Sequence, residues 1–292
     1  MLPFSKVHGL GNDFLMMDFR IGEPSPSPAN ARAAVALCDR KFGVGGDGLL
    51  IARPPNDLEA DVRMQIWNSD GSEAEMCGNG IRCVAKELYE RGGVRKPEIA
   101  IDTGAGRLVC AMAADGVTVT MGAPRLSRGE LPMAGPAGER CIEQPLELPG
   151  EPARPVTCVS MGNPHAITFV ESHTEAWRLA KSVGPVIERH PWFPQRTNAE
   201  FAHVKSRGEI DLVVWERGCG ITLACGTGAC ATVVAAIVTG KADEATPVRV
   251  NLPGGTLDIT VLQKLANVLM KGPAQHVFDG ELDLARLAPR PT

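Results

Sequence analysis

Trp67-Asn68-Ser69-Asp70-Gly71-Ser72-Glu73-Ala74-Glu75-Met76-Cys77-Gly78-Asn79-Gly80 has a second copy. It is Trp215-Glu216-Arg217-Gly218-Cys219-Gly220-Ile221-Thr222-Leu223-Ala224-Cys225-Gly226-Thr227-Gly228, 148 residues further on. In both, a Trp lies ten residues before a Cys-Gly-x-Gly. Further landmarks keep the same spacing. Gly11-Asn12-Asp13-Phe14 is echoed by Gly162-Asn163-Pro164-His165, and the strand-turn-strand pattern of Gly106 to Gly122 returns at Gly255 to Gly272. A repeat this long means a duplicated domain, since solenoid repeats run to only about 20–50 residues.

Strand candidates in the first half are Leu49–Ala52, Val62–Trp67, Arg107–Ala111 and Val117–Met121. In the second they are Val156–Val159, Ala166–Val170, Ile210–Trp215, Val248–Asn251, Leu257–Leu262 and Asn267–Met270. Two helices are expected in each half. After the first Cys-Gly-x-Gly, Ile81, Val84, Ala85 and Leu88 share one face, and Gly92-Gly93 ends the run. After the second, Ala229 to Thr239 is apolar nearly all round, so it must be buried on every side. The fold class is therefore α+β: two pseudo-symmetric domains, each a curved β-sheet or barrel wrapped around a central helix, with the active site in the cleft between them. Residues 124–155 hold seven prolines and little periodicity, which places the domain boundary there.

The 292 residues suffice for two domains, and 44% apolar content supports packed cores. A net charge of −4 with interspersed signs argues against a nucleic-acid partner. No apolar run is of membrane-spanning length, and Met1-Leu2-Pro3-Phe4-Ser5-Lys6 lacks a secretion signal's apolar stretch, so a cytoplasmic protein is expected. Nine cysteines, an odd number without a leader, argue against a disulfide framework. Cys77, Cys83, Cys219, Cys225 and Cys230 lack the tight Cys-x2-Cys knuckle of structural zinc, so no metal is expected. Cys38 and Cys110, in apolar surroundings, read as small core residues. Phe42-Gly43-Val44-Gly45-Gly46-Asp47-Gly48 superficially matches a dinucleotide loop, but it follows a helix-like stretch rather than a strand.

Each of Cys77 and Cys225 stands at the mouth of a helix, followed by glycines. Such a position favours an anion and lowers the pKa of a thiol. The N–H groups of Gly78-Asn79 and Gly226-Thr227 are suited to a carboxylate. Two thiols on opposite sides of one α-carbon, one ionised and one protonated, invert a stereocentre by removing a proton from one face and supplying one to the other. A plain helix cap of small residues accounts for one copy less well once two stand in register.

The chain resembles the diaminopimelate epimerase family. The resemblance rests on Asn68-x-Asp70-Gly71-Ser72-x4-Cys77-Gly78-Asn79-Gly80-x-Arg82 and on Trp215-Glu216-Arg217-Gly218-x-Gly220-x-Thr222-x-Ala224-Cys225-Gly226-Thr227-Gly228. It extends to His8-Gly9-Leu10-Gly11-Asn12-Asp13-Phe14, Met161-Gly162-Asn163-Pro164-His165 and Arg196-Thr197-Asn198-x-Glu200-Phe201. It implies conversion of LL-diaminopimelate to the meso form without pyridoxal phosphate, metal or any other cofactor. By the same resemblance Cys77 and Cys225 are the acid/base pair, and Gly78, Asn79, Gly226 and Thr227 cradle the reacting carboxylate. The carbonyls of Glu216 and Arg217 help hold the reacting amine. Asn12, Asn68, Asn163, Asn198 and the Arg217 side chain grip the distal amino-acid end. Domains of 1–122, with 273–292 returning to it, and 123–272 follow, and a homodimer is compatible with the family.

The residue chemistry agrees, since amides serve both an ammonium and a carboxylate and Arg217 can bind a carboxylate bidentately. Asn12 and Asn163 also sit in Gly-Asn turns, where Asn is a turn former. His165 is assigned no catalytic role. Ile221 stands where the family often has Glu, and Gly48 where some members carry Gln. The alternative is another cofactor-independent racemase, such as a proline or hydroxyproline racemase. A monocarboxylate substrate, however, would not need Arg217 and several Asn side chains. A binding protein that had lost turnover would need neither cysteine.

Overall fold

The computed structural model describes residues 1–25 and 27–283. The chain divides into two compact units, Met1–Val119 with the chain from Gly272 onward, and Thr120–Lys271. The first carries β1 (Leu2–Gly9), β2 (Asn12–Asp18), α1 (Ala31–Cys38), β3 (Gly48–Arg53) and β4 (Val62–Asn68). It continues through β5 (Glu73–Ala74), α2 (Gly78–Glu90), β6 (Glu98–Thr103), β7 (Gly106–Ala113) and β8 (Gly116–Thr120). The second opens with β9 (Gln144–Leu148), β10 (Glu151–Ser160), β11 (Pro164–Val170), α3 (His173–Ser182) and α4 (Gly184–Glu188). It continues through β12 (Asn198–Ser206), β13 (Glu209–Glu216), β14 (Gly220–Ile221) and α5 (Gly226–Val238). β15 (Val248–Leu252), β16 (Gly255–Val261) and β17 (Val268–Gly272) complete it. The chain then pairs β18 (Gln275–Leu282) antiparallel with β1. Of the segment 273–292, residues 284–292 lie outside the described residues.

The same ladder is built twice. β1–β2 and β10–β11 are antiparallel hairpins, while β2–β3 and β11–β12 are parallel. β3–β4 and β12–β13 are antiparallel, and the short β5 and β14 fold back on their Trp-bearing strands. β4–β6 and β13–β15 are parallel in turn. The registers correspond residue by residue. Phe14 pairs with Gly48 where His165 pairs with Asn198, and Leu49 pairs with Trp67 where Ala199 pairs with Trp215.

Each unit wraps its strands around one helix. α2 packs on β1, β2, β3, β4, β6, β7 and β18, and α5 packs on β10, β11, β12 and β16. Every residue from Gly226 to Ala236 is buried, as a helix without a polar face requires. α2 is buried from Gly78 to Ala85 and keeps a polar far end, where Lys86 donates to the Ala274 carbonyl. Both helices begin at the glycine after the cysteine, a turn earlier than apolar periodicity alone indicates, because glycines carry no hydrophobic signal.

The structure departs from the sequence reading in three places. The proline-rich stretch 124–155, where the boundary was expected, lies within the second unit, which begins at Thr120. Leu131, Met133, Cys141, Leu146 and Leu148 are buried there, and Gln144–Leu148 pairs with β10. Prolines are tolerated on such a strand where no ladder N–H is needed. The second unit also carries three helices rather than two, since Ser172 caps α3 by accepting from Glu175 N and Pro185 opens α4. Finally, β1, β2, β5, β6, β9, β12, β14 and β18 form where no strand was expected. β12 is buried over its first five residues, polar Asn198 and Glu200 included, and its alternation breaks at Phe201-Ala202. No helix among the described residues is long and apolar enough to cross a membrane.

Candidate active-site residues

In the first unit, Cys77 is the N-cap of α2, and its sulfur accepts from Gly80 N at 3.4 Å. Its thiol lies half-buried, 3.7 Å from Asn12 Oδ1, to which Asn79 Nδ2 also donates at 3.1 Å. The Asn12 amide is oriented from behind, because its Nδ2 donates to Asp47 Oδ2 at 2.8 Å. Asn79 is oriented by Arg82, which is wholly buried. Arg82 donates Nη2 to Asn79 Oδ1 at 2.7 Å, Nη1 to Gly78 O at 2.9 Å and Nε to Pro273 O at 3.2 Å. A buried guanidinium with three carbonyl-type acceptors keeps its charge and adds to the positive end of the helix. Asn68 lies on the surface at the end of β4, where its Nδ2 donates to Ser72 Oγ at 2.9 Å. Gly48 sits opposite Asn68, and a Cβ there would come within 2.8 Å of the Trp67 carbonyl.

In the second unit, Cys225 caps α5 and is buried, with 5% of its surface exposed. Its sulfur lies 3.6 Å from Thr227 Oγ1. Behind Thr227 runs a chain of polar groups. Asn163 Nδ2 donates to Thr227 Oγ1 at 3.3 Å, His165 Nε2 meets Asn163 Oδ1 at 2.9 Å, and Glu200 Oε1 meets His165 Nδ1 at 2.6 Å. His165 and Glu200 are both fully buried. Burial pushes the Cys225 thiol well above its ordinary value, and the charges of Glu216 and Glu200 push the same way; the Thr227 hydroxyl and Gly228 N–H pull against them. Burial also raises the Glu216 carboxyl, offset by hydrogen bonds from Thr222 and Cys225.

The turn that carries Glu216 and Arg217 is pinned from two sides. Asn198 Oδ1 accepts from Arg217 N at 2.9 Å while its Nδ2 donates to Pro164 O at 3.1 Å. The buried Glu188 accepts from Trp215 Nε1 at 2.8 Å and Gly218 N at 3.0 Å. The Arg217 side chain is exposed and donates to Gln195 O at 3.2 Å. Ile221 packs with Trp215 against the apolar core, which explains why an aliphatic residue is accepted there.

Within each unit, then, the structure gathers the residues picked out by sequence: Asn12 and Asn79 around Cys77, and Asn163 and Thr227 around Cys225. Asn68, Asn198, Glu216 and Arg217 stand on the adjoining strand ends. Sequence reasoning gave no role to Asp47, Glu188, His165 or Glu200. The signal for Glu200 was present, a lone carboxylate inside the apolar run Ala199-Glu200-Phe201-Ala202. Cys38, Cys83 and Cys110 are buried core thiols, pushed up to about 12 by burial. Glu87, His276 and Asp279 come close enough together to hold a metal ion, but Arg91 already bridges Glu87 and Asp279 and supplies the positive charge.

The family model described as diaminopimelate epimerase matches residues 4–127 and 157–277. The diaminopimelate epimerase of Synechocystis sp. is 49% identical over 286 residues, covering 97% of this chain and 99% of that protein. That of Heliobacterium modesticaldum is 46% identical over 289 residues, 97% of this chain and 100% of that protein. Among solved structures, a probable proline racemase from Agrobacterium radiobacter aligns with a TM-score of 0.68 at 16% identity, over 97% of this chain and 93% of that one. A hydroxyproline epimerase from Agrobacterium vitis aligns at 0.65 and 16%, over 96% and 90%. These two likenesses establish the shared fold.

Proposed function

The chain belongs to the diaminopimelate epimerase family, and on that footing we propose that it interconverts LL- and meso-diaminopimelate by two-base proton transfer between Cys77 and Cys225. The observation that carries the reading is the repeated helix cap: one cysteine begins each of two buried helices, each with its own amide or hydroxyl partner.

In this reading the thiols act on opposite faces of one α-carbon. One sulfur, as thiolate, removes the α-proton while the other, as thiol, delivers a proton to the far side, and their states are exchanged after each turnover. Negative charge that spreads from the α-carbon onto the carboxylate meets the first-turn N–H groups at Gly78, Asn79, Gly226 and Thr227. Those groups stand in the first helical turns, at positive dipole ends. The backbone carbonyls of Glu216 and Arg217 accept from the reacting ammonium. Asn12, Asn68, Asn163, Asn198 and the Arg217 guanidinium hold the distal end, whose ammonium and carboxylate together need both donors and acceptors. Domains of 1–122 with the returning segment, and of 123–272, each supply one thiol.

We place the protein in the cytoplasm, whose reducing conditions keep cysteine thiols available for such chemistry. A homodimer is part of the same reading; Val277 and Phe278, exposed on β18, supply apolar surface for it. Light scattering at the mass of a monomer would remove that part alone.

The test is incubation of reduced protein with LL-diaminopimelate in deuterated water, with proline as control. Formation of the meso isomer carrying one α-deuterium supports the reading. No conversion, or exchange on proline instead, rejects it.

A further inference from the structure

The strand registers of the two units correspond, and at one pair of positions beside the central helix the chemistry differs sharply. Where the first unit has Phe14 on β2 and Leu50 on β3, the second has His165 on β11 and Glu200 on β12. Both carriers touch the same point of the central helix. A Cβ built on Gly80 would meet Leu50 Cδ2 at 3.0 Å, and one built on Gly228 would meet Glu200 Oε1 at 3.0 Å. The fold therefore accepts an apolar pair here and does not need an ionisable one. The second unit nonetheless buries a carboxylic acid completely and leaves its Oε2 without a hydrogen-bond partner among the described residues. Such a group destabilises a core unless it serves a purpose.

We propose that Glu200 is a positioning residue for the reaction: it fixes the direction of the hydrogen-bond chain Glu200–His165–Asn163–Thr227 so that the Thr227 hydroxyl hydrogen points at the Cys225 sulfur. This inference rests on Cys225 being one of the two catalytic thiols. Asn163 Oδ1 is an acceptor only, so His165 Nε2 must carry a hydrogen and donate to it. The amide face then left to Thr227 is Nδ2, a donor, which occupies an Oγ1 lone pair. The Thr227 hydroxyl hydrogen is thus free to turn toward Cys225 Sγ, 3.6 Å away. Glu200 Oε1 meets Nδ1 at the far end, whichever of the two holds the shared proton. Burial and the charge of Glu200 hold the Cys225 thiol up, so for Glu200 to assist the thiolate the direction of the hydrogen-bond chain has to outweigh that repulsion.

Glu200→Leu, which copies Leu50, tests this. The rate of iodoacetamide labelling of Cys225 is followed against pH by peptide mass spectrometry, with Cys77 as the internal reference. Loss of the donated hydrogen bond makes the thiolate harder to form, so Cys225 labelling slows by about tenfold while Cys77 is unchanged. Glu200→Gln restores the rate, because its amide N–H can donate to Nδ1 and keep Nε2 protonated. Thr227→Val slows labelling equally, and the combined Thr227→Val/Glu200→Leu protein is no slower, because both changes break one chain.

With LL-diaminopimelate, Glu200→Leu lowers kcat by about tenfold and changes KM by less than about twofold. His165→Phe/Glu200→Leu rebuilds the first unit's apolar pair and keeps a measurement possible if the single variant does not fold. Faster labelling of Cys225 in Glu200→Leu overturns the proposal, since the repulsion from Glu200 would then outweigh the hydrogen-bond chain. Unchanged labelling and kcat in the double variant overturn it as well, leaving the dyad a packing element. A wild-type protein inactive on diaminopimelate rejects the epimerase reading instead, and the labelling series remains interpretable without it.

Discussion

The surroundings of Cys77 and Cys225 are built on the same ladder and differ in nearly every polar group. Cys77 is half-buried, its thiol faces an amide oxygen, and the buried guanidinium of Arg82 holds Asn79 in the same helix. Cys225 is buried, faces a hydroxyl, and has the carboxyl groups of Glu216 and Glu200 pressing its thiol to stay protonated. At the helix position of Arg82 the second unit has Cys230, an apolar core residue. Duplication supplied two equivalent caps, and each was then given different electrostatics. The two-base reaction proposed above starts each turnover with one thiolate and one thiol, a pair of states that inequivalent surroundings would separate.

The comparison can be broken most severely at the sulfurs themselves. Cys77→Ala and Cys225→Ala should each lose epimerisation by about 10³-fold or more, read as meso-diaminopimelate formed per minute, because neither remaining group can serve both faces. Next comes the helix position where the units diverge. Arg82→Met leaves three acceptors without their donor and should destabilise the protein by about 3 kcal/mol in urea unfolding. Cys230→Ala, at the matching position, should cost only about 1 kcal/mol.

How much of this was legible beforehand follows from what kind of signal each feature leaves. The repeat, both central helices and both cysteines stood out because identical residues recur at fixed spacing. β12 did not, because its polar–apolar alternation breaks phase at Phe201-Ala202 and its polar Asn198 and Glu200 are buried with the rest. The stretch 124–155 misled because prolines normally punctuate, yet here they frame β9 and a buried cluster of the second unit. Asn12 and Asn163 were legible as candidates, but the groups that aim them, Asp47 and His165, lie 35 and two residues away and meet them only in the fold. Glu188, 27 residues before Trp215, left no sequence pattern at all.

Two smaller measurements sharpen the contrast. At neutral pH iodoacetamide should label Cys77 about ten times faster than Cys225, a ratio read by quantifying the two peptides. Raising the pH beyond the ordinary thiol range should bring Cys225 up, because its folded-state pKa is raised and the reactive thiolate appears only as the pH climbs toward that value. Equal rates across the range would mean the carboxyl groups do not act on the sulfur. The smallest effect is at the paired tryptophans. Trp215 Nε1 donates to the buried Glu188, whereas Trp67 Nε1 has no hydrogen-bond partner among the described residues. Trp215→Phe should therefore destabilise the protein by about 1–2 kcal/mol more than Trp67→Phe, compared by urea midpoints.

The most direct test of two inequivalent thiols on one carbon is α-hydrogen exchange in deuterated water by the two alanine variants, each given LL- and meso-diaminopimelate separately. With only one base left, the Cys225→Ala protein should exchange the α-hydrogen of one stereoisomer and leave the other untouched, and Cys77→Ala should show the opposite preference. Exchange of both stereoisomers by either variant, or the same preference in both, would contradict the account.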